Sequence, residues 1–223
     1  MKIVLADVET TGVGQNDKVC EIAWMHIDED FNVLDRASSL INPGMRIPSG
    51  ASAVNGITDM MVANAPTLEE YFEIETNPFS DPDTVFVAHN APFDFRFLKR
   101  YVHKNAEQLC TLRVAREVFP DADSYKQSAL AIRLGIEFQR GELHSAEGDL
   151  HILSQLLYAM CEEAGVGVAG LLEIDKACRL DPVIPFGKHR GAKVSALPSG
   201  YRSWLLTLPD LEDTLKTAIL NLK

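Results

Sequence analysis

The stretch Ala6-Asp7-Val8-Glu9-Thr10-Thr11-Gly12 places two carboxylates one residue apart, directly behind the unbroken apolar run Ile3-Val4-Leu5-Ala6. Such a run marks a strand covered on both faces. Side chains alternate along a strand, so Asp7 and Glu9 share a face, about 6.7 Å apart at their Cα atoms. Two acids in that setting repel each other and lose hydration. Either they are protonated, or they form an acidic turn at the strand's exposed exit, or a cation sits between them. Two further acids stand in similar company. Asp94 is in helical register with Leu98 and Tyr101, and Asp149 with Leu153, Leu156 and Met160, so each falls on the apolar side of a helix near its start. The helix dipole alone also explains a carboxylate at such a place. His144, five residues before Asp149, lies in the loop entering that helix, where a surface or capping role competes with a catalytic one. Four uncompensated buried acids would cost more than a domain's net stability. Divalent cations remove that cost, and an all-carboxylate set fits Mg²⁺ or Mn²⁺ rather than zinc.

The elements that must position these groups can be read from pattern. Residues 2–8, 19–28 and 31–41 read as strands, and the turn at Glu29-Asp30 is short enough for an antiparallel hairpin. Asn42-Pro43-Gly44 ends that meander, and the polar stretch IPSGASAVNGITDMM leads to a helix over 67–75. Residues 84–89, TVFVAH, form another buried strand, and Pro92 suits the first turn of a helix running to about 103. Further helices are predicted near 111–118, 124–134 and 146–163. Strands followed by alternating helix and strand predict an α/β fold, a mixed β-sheet flanked by helices. Gly165, Gly167 and Gly170 loosen the chain, and Asp181-Pro182 marks a boundary. The expected organisation is a domain at 1–163, a linker at 164–182 and a small basic C-terminal module at 183–223.

The three acid-bearing motifs, DVETTG, HNAPFD and HSAEGD, resemble the exonuclease motifs of the DEDDh family, named for its four acids and histidine. The spacing from His144 to Asp149, with Ser145 where the related branch has a tyrosine, matches the histidine branch. The segment VNGITDMM is similar to the family's connecting loop, and the likeness spans roughly residues 1–163. It implies a ribonuclease H-like fold and the removal of nucleotides from 3′ ends. Under that resemblance Asp7, Glu9, Asp94 and Asp149 are metal ligands for two Mg²⁺ ions, with Mn²⁺ as a substitute. Two metals about 4 Å apart acidify the attacking water and stabilise the attacking and leaving oxygens. Asp7 is the expected bridge, Glu9 and Asp149 complete one site, and Asp94 holds the second, directly or through water. His144 is the expected general base, since an imidazole titrates near neutrality. The resemblance also sets Thr10, Thr11 and Gly12 against the terminal sugar, Ile57 and Phe93 against terminal bases, and His89 and Asn90 near the scissile phosphate. For Ile57 and Phe93, ordinary core packing is the competing reading.

The tail, IPFGKHRGAKVSALPSGYRSWLLTLPDL, resembles the short C-terminal module appended to exodeoxyribonuclease X-like proteins. Gly187 and Gly191 bracket a turn displaying Lys188, His189, Arg190 and, nearby, Lys193, while Tyr201, Trp204, Leu205 and Leu208 sit at helical spacing as a small core. Residues 183–223 carry six Lys/Arg against three acids, and residues 1–182 carry fifteen against twenty-nine. The basic turn either gathers nucleic acid or is a solvated part of a structural or dimerising module. A formal net charge of −11 argues against tight non-specific binding along a nucleic-acid backbone, though not against gripping a chain end through metal. Cys20, Cys110, Cys161 and Cys178 lack ligand spacing and read as reduced thiols of a cytoplasmic protein. No apolar run reaches membrane length, and no signal peptide is visible. The expected function is a metal-dependent 3′→5′ exodeoxyribonuclease acting on DNA 3′ ends, single-stranded or frayed. The alternatives are a 3′→5′ exoribonuclease acting on RNA and, in a different class, an inactive scaffold binding DNA ends or a polymerase partner.

Overall fold

In the computed structural model, which describes residues 1–138, 145–209 and 211–222, the first strand is the centre of the sheet. β1 (Lys2–Thr10), β2 (Val19–Ile27) and β3 (Val33–Leu40) form an antiparallel meander. α1 (Ser49–Asn55), α2 (Asp59–Val62) and α3 (Leu68–Ile74) follow. β4 (Thr84–Ala88) then returns parallel to β1, leads into α4 (Ala91–Leu98), and is followed by β5 (Glu107–Cys110), parallel to β4. The sheet order is β3-β2-β1-β4-β5. α5 (Thr111–Val118), α6 (Gln127–Leu134), α7 (Ala146–Ala164) and α8 (Val168–Leu180) follow, and α9 (Ser199–Leu205) and α10 (Asp213–Asn221) lie in residues 183–223, the stretch expected to form the small C-terminal module.

The apolar run of β1 is buried on both sides, as its composition requires. Ile3 and Leu5 face a core built with Leu150, Leu153 and Leu156 of α7, while Val4, Ala6 and Val8 face a second core with Tyr71, Phe79, Phe86 and Leu98. The α3 start is fixed by a capping box in which Thr67 and Glu70 exchange side-chain and backbone hydrogen bonds.

Five expectations change. The stretch 164–182 is for the most part helix α8, not a linker. Its Val168, Leu171 and Leu172 enter the first core, and its Asp175, fully buried, accepts hydrogen bonds from Arg113 Nε at 2.7 Å and Arg179 Nε at 2.9 Å. The polar stretch after residue 47 contains α1 and α2. α4 stops at Leu98 instead of near 103, and β5 appears in a segment with no strand periodicity. In the C-terminal module Leu205 is buried with Ile184, Val194, Leu197 and Leu215, but Trp204 is 48% exposed and lies outside that core.

Candidate active site

β1 runs beyond the end of its parallel neighbour. Pairing with β4 stops at Leu5–Val87, while pairing with β2 continues through Asp7–Ala23 to Glu9–Glu21. β4 gives way at His89 and Asn90. Asn90 adopts a left-handed backbone (φ 73°), uncommon for a residue with a Cβ, and this turn starts α4 beside the free edge of β1. Asp94 thereby reaches the gap, and its Oδ1 accepts the Val8 N–H at 3.2 Å. The carboxylate thus takes a backbone donor that lies beyond the last β4 residue. From the other side α7 begins at Ala146 with Ser145 Oγ accepting the Gly148 N–H at 3.2 Å, and its first turn carries Asp149.

The result is a convergence of acids from three elements. Carboxylate oxygens of Asp7, Glu9 and Asp149 lie within 4.8 Å of one another. Asp94 is buried beside them. Burial, and then the neighbouring charges of Asp94, Asp149 and Glu9, hold the Asp7 carboxyl well above the usual carboxylate range. Glu9 is pushed up to about 7 by burial and by Asp149 and Glu21, with a hydrogen bond from Asn55 opposing. Asp94 is raised by burial against the opposing Val8 hydrogen bond. Among the described residues, the groups that shift Asp7 and Glu9 include no cation. An oxygen-only set under mutual repulsion is what a hard divalent cation relieves, so the donor chemistry fits such an ion. The acidic-turn alternative does not describe acids that meet two helices.

His144 lies outside the described residues. Of the expected substrate contacts, Thr10 and Thr11 are buried at the end of β1. Thr10 Oγ1 donates to Gly12 O at 2.7 Å, and Thr11 Oγ1 donates to Asp17 Oδ1 at 2.9 Å. Gly12 is confined by the same carboxylate, since a Cβ there would stand 2.6 Å from Asp17 Oδ2. Ile57 is buried with Cys20, Ile47 and Val62, the core-packing reading. His89 is held between Thr111 Oγ1 at 3.0 Å and the Tyr125 carbonyl at 2.8 Å, so it braces the turn before α4. Asn90 is exposed. Phe93 is half-buried and meets Phe97 edge-on, with ring centroids 5.4 Å apart.

Three residues at the site are absent from the sequence reading. Glu21 faces Glu9 across the β1–β2 pair, and its Oε2 accepts the Ala146 N–H at 3.0 Å. Its signal was present, a lone acid in the buried strand VCEIAW. Asn55 Nδ2 donates to Thr10 O at 3.3 Å, and Gln127 Nε2 donates to Asp149 O at 2.6 Å. Asn55 falls within the VNGITDMM segment without being singled out there, and nothing local marks Gln127.

The basic turn of the C-terminal module is partly spent on docking. Arg190 Nη2 donates to Ala122 O at 3.3 Å and Asp123 O at 2.8 Å, and Lys193 pairs with Glu117 at 3.0 Å. Arg116 and Glu212 add a 3.6 Å pair. All four cysteines are free and buried. Among the described residues no helix is long and apolar enough to cross a membrane.

A family model described as Exonuclease matches residues 4–157. The chain is 29% identical to exodeoxyribonuclease 10 of Escherichia coli K12, over 96% of this chain and 97% of that protein. It is 37% identical to a DNA polymerase III subunit epsilon-like protein of Rhodobacter capsulatus, over 67% of this chain but only 22% of that longer protein. Among solved structures, exonuclease X in complex with 5′ overhanging duplex DNA superposes with a TM-score of 0.65 at 28% identity, covering 78% of this chain and 99% of that one.

Proposed function

Because the chain belongs to the exonuclease family, we propose that it is a metal-dependent 3′→5′ exodeoxyribonuclease whose centre is the meeting of Asp7, Glu9, Asp94 and Asp149. The observation that carries this reading is the gathering of Asp7, Glu9 and Asp149 within 4.8 Å, from a strand end and a helix start. The similarity to exodeoxyribonuclease 10 along almost its whole length favours DNA as substrate. Asp7, Glu9 and Asp149 would hold one Mg²⁺, with Asp7 shared and Asp94 serving a second. When bound, such ions acidify a water and stabilise charge on the attacking and leaving oxygens. Asp94, tied to the Val8 N–H, keeps the α4 wall of the site against β1. Glu21, bound to the first N–H of α7, does the same for the helix bearing Asp149. His144 is suited to take the proton from the attacking water. Thr10 and Gly12 lie at the end of β1, where a terminal sugar could approach backbone groups.

The test is digestion of 5′-labelled single-stranded DNA and RNA of matched sequence, with Mg²⁺ and with chelator. A DNA ladder shrinking from the 3′ end and abolished by chelator supports the reading. A ladder confined to RNA would overturn the substrate and favour the exoribonuclease. No ladder on either, with Mn²⁺ also tried, would leave the scaffold reading. His144→Ala should cut turnover severely while metal and end binding persist, and near-normal turnover would remove the general-base role.

A further inference from the structure

A cleft of about 560 Å³ is walled by residues 14–15, 17–19, 41–44, 67–69, 96–97 and 99–101. Its two main walls continue the segments that carry the acids. One is the chain leaving β1 through Thr10, Thr11 and Gly12, and the other is α4 beyond Asp94. In a chain of net charge −11, this lining holds Lys18, Arg96, Lys99 and Arg100 against Asp17 and Glu69. Both carboxylates are engaged: Asp17 accepts from Thr11 Oγ1 and from the Gly14 N–H at 2.6 Å, and Glu69 pairs with Arg100 at 3.2 Å. Lys18, Arg96 and Lys99 have no carboxylate partner among the described residues.

Arg96 is the most constrained of these cations. Its guanidinium lies over the rings of Phe93, at 4.7 Å, and Phe97, at 4.5 Å. Its Nε and Nη2 are buried without an acceptor, and so is Tyr101 Oη on the same wall. A planar cation held on aromatic faces, with no carboxylate paired to it among the described residues and only the longer-range charge of Asp94 acting on it, can take an oxyanion from outside. Aromatic rings next to phosphate-binding cations are the pattern by which single strands are held without regard to sequence.

We propose that this cleft binds the phosphodiester backbone of the DNA strand leading to the cleaved 3′ end, with Arg96 as its principal phosphate contact. The inference rests on the nuclease reading for the identity of the strand; the cleft lining holds none of the four acids, although the Arg96 charge does act on Asp94, favouring its ionised form. The strand would enter along α4 and end at Asp7, Glu9 and Asp149.

Binding is read by fluorescence anisotropy with a 5′-fluorescein oligothymidylate of about twelve nucleotides in chelator, over a series of salt concentrations. Arg96→Gln should weaken binding about tenfold and flatten the dependence of log affinity on log salt by about 0.7. Lys18→Gln and Lys99→Gln, both at exposed positions, should each flatten it in the same sense, which keeps the test valid if Arg96→Gln fails to fold. Wild-type affinity and salt slope in the folded variants would overturn the proposal. A loss seen with a duplex probe and not with the single strand would overturn the assignment to the cleaved strand and give the cleft to its complement. Wild-type digestion of the same probe with Mg²⁺ is run alongside. Its absence, with the binding losses present, would defeat the nuclease reading and leave the cleft standing.

Discussion

Glu21 stands directly opposite Glu9 on the neighbouring strand, and its Oε2 accepts the N–H of Ala146, the first residue of α7, at 3.0 Å. One carboxylate therefore repels a candidate ligand on β1 while tying down the helix that carries another. The arrangement is tolerable because helix N-termini favour anions. Ala146 is fully buried, so removing Glu21 strands its N–H at about 1–3 kcal/mol. Glu21→Ala should lower stability by that order and raise the Mg²⁺ concentration needed for half-maximal activity. Glu21→Gln, which keeps an acceptor, should recover most of both. Thermal melts and Mg²⁺ titrations of the two variants check this, and equal behaviour of Ala and Gln would deny the positioning role.

The repulsion among the acids has a pH signature. Glu9 titrates at about 7 when folded against an ordinary 4.5. A folded carboxyl raised in this way holds its proton longer than the unfolded chain does. Metal-free protein should therefore lose stability as pH rises from about 4.5 to about 7, and Asp7 is raised in the same direction. A bound divalent ion favours the charged carboxylates. Melting temperatures with chelator and with saturating Mg²⁺ should differ more near pH 8 than near pH 5. An equal increment at both pH values would contradict the ligand assignment.

The pair between Arg113 Nε and Asp175 Oδ1, 2.7 Å long with Asp175 fully buried, joins α5 to α8. Asp175→Ala would leave Arg113 and Arg179 facing no carboxylate there, at about 3–5 kcal/mol. Urea unfolding measures the loss. The same packing predicts that a chain shortened after residue 163 does not unfold cooperatively, because Val168, Leu171 and Leu172 leave the main core. A chain shortened after residue 181 should retain that core.

What could be read from sequence follows from the range of the forces involved. Asp7 and Glu9 stood out because charge interrupts a strand that is otherwise apolar on both faces. Asp94 and Asp149 stood out because helical register aligns them with leucines. The order of the first three strands followed from alternation and a short turn. α8 was invisible as part of the body because its anchor pairs residues 62 positions apart, and glycines at 165, 167 and 170 read locally as a loose linker. Glu21 was legible in principle by the same contrast that exposed Asp7. Gln127, Asn55 and the unpartnered Arg96 acquire their meaning only once separate segments meet.

His89 ties the β4 exit to the loop after α5 from a buried position that favours the neutral ring. Burial, then repulsion from Arg116, lowers its pKa to about 4, with the Tyr125 carbonyl opposing. That carbonyl accepts from Nε2, which leaves Nδ1 facing the Thr111 hydroxyl. Below the ordinary imidazole value near 6.5 the unfolded chain takes up a proton that the folded protein refuses. Stability contributed at this position is therefore complete at neutral pH and falls as pH drops from about 6.5 to about 4, by about 3 kcal/mol in all. Glu9 changes stability in the opposite sense over part of this window, so the quantity to measure is the difference between wild type and His89→Gln in chelator. Urea unfolding near pH 7.5 and near pH 5 should show the wild type losing about 2 kcal/mol relative to the variant. A constant difference would mean that His89 protonates without cost. The brace at the start of α4, on which the placement of Asp94 depends, would then not require the neutral ring.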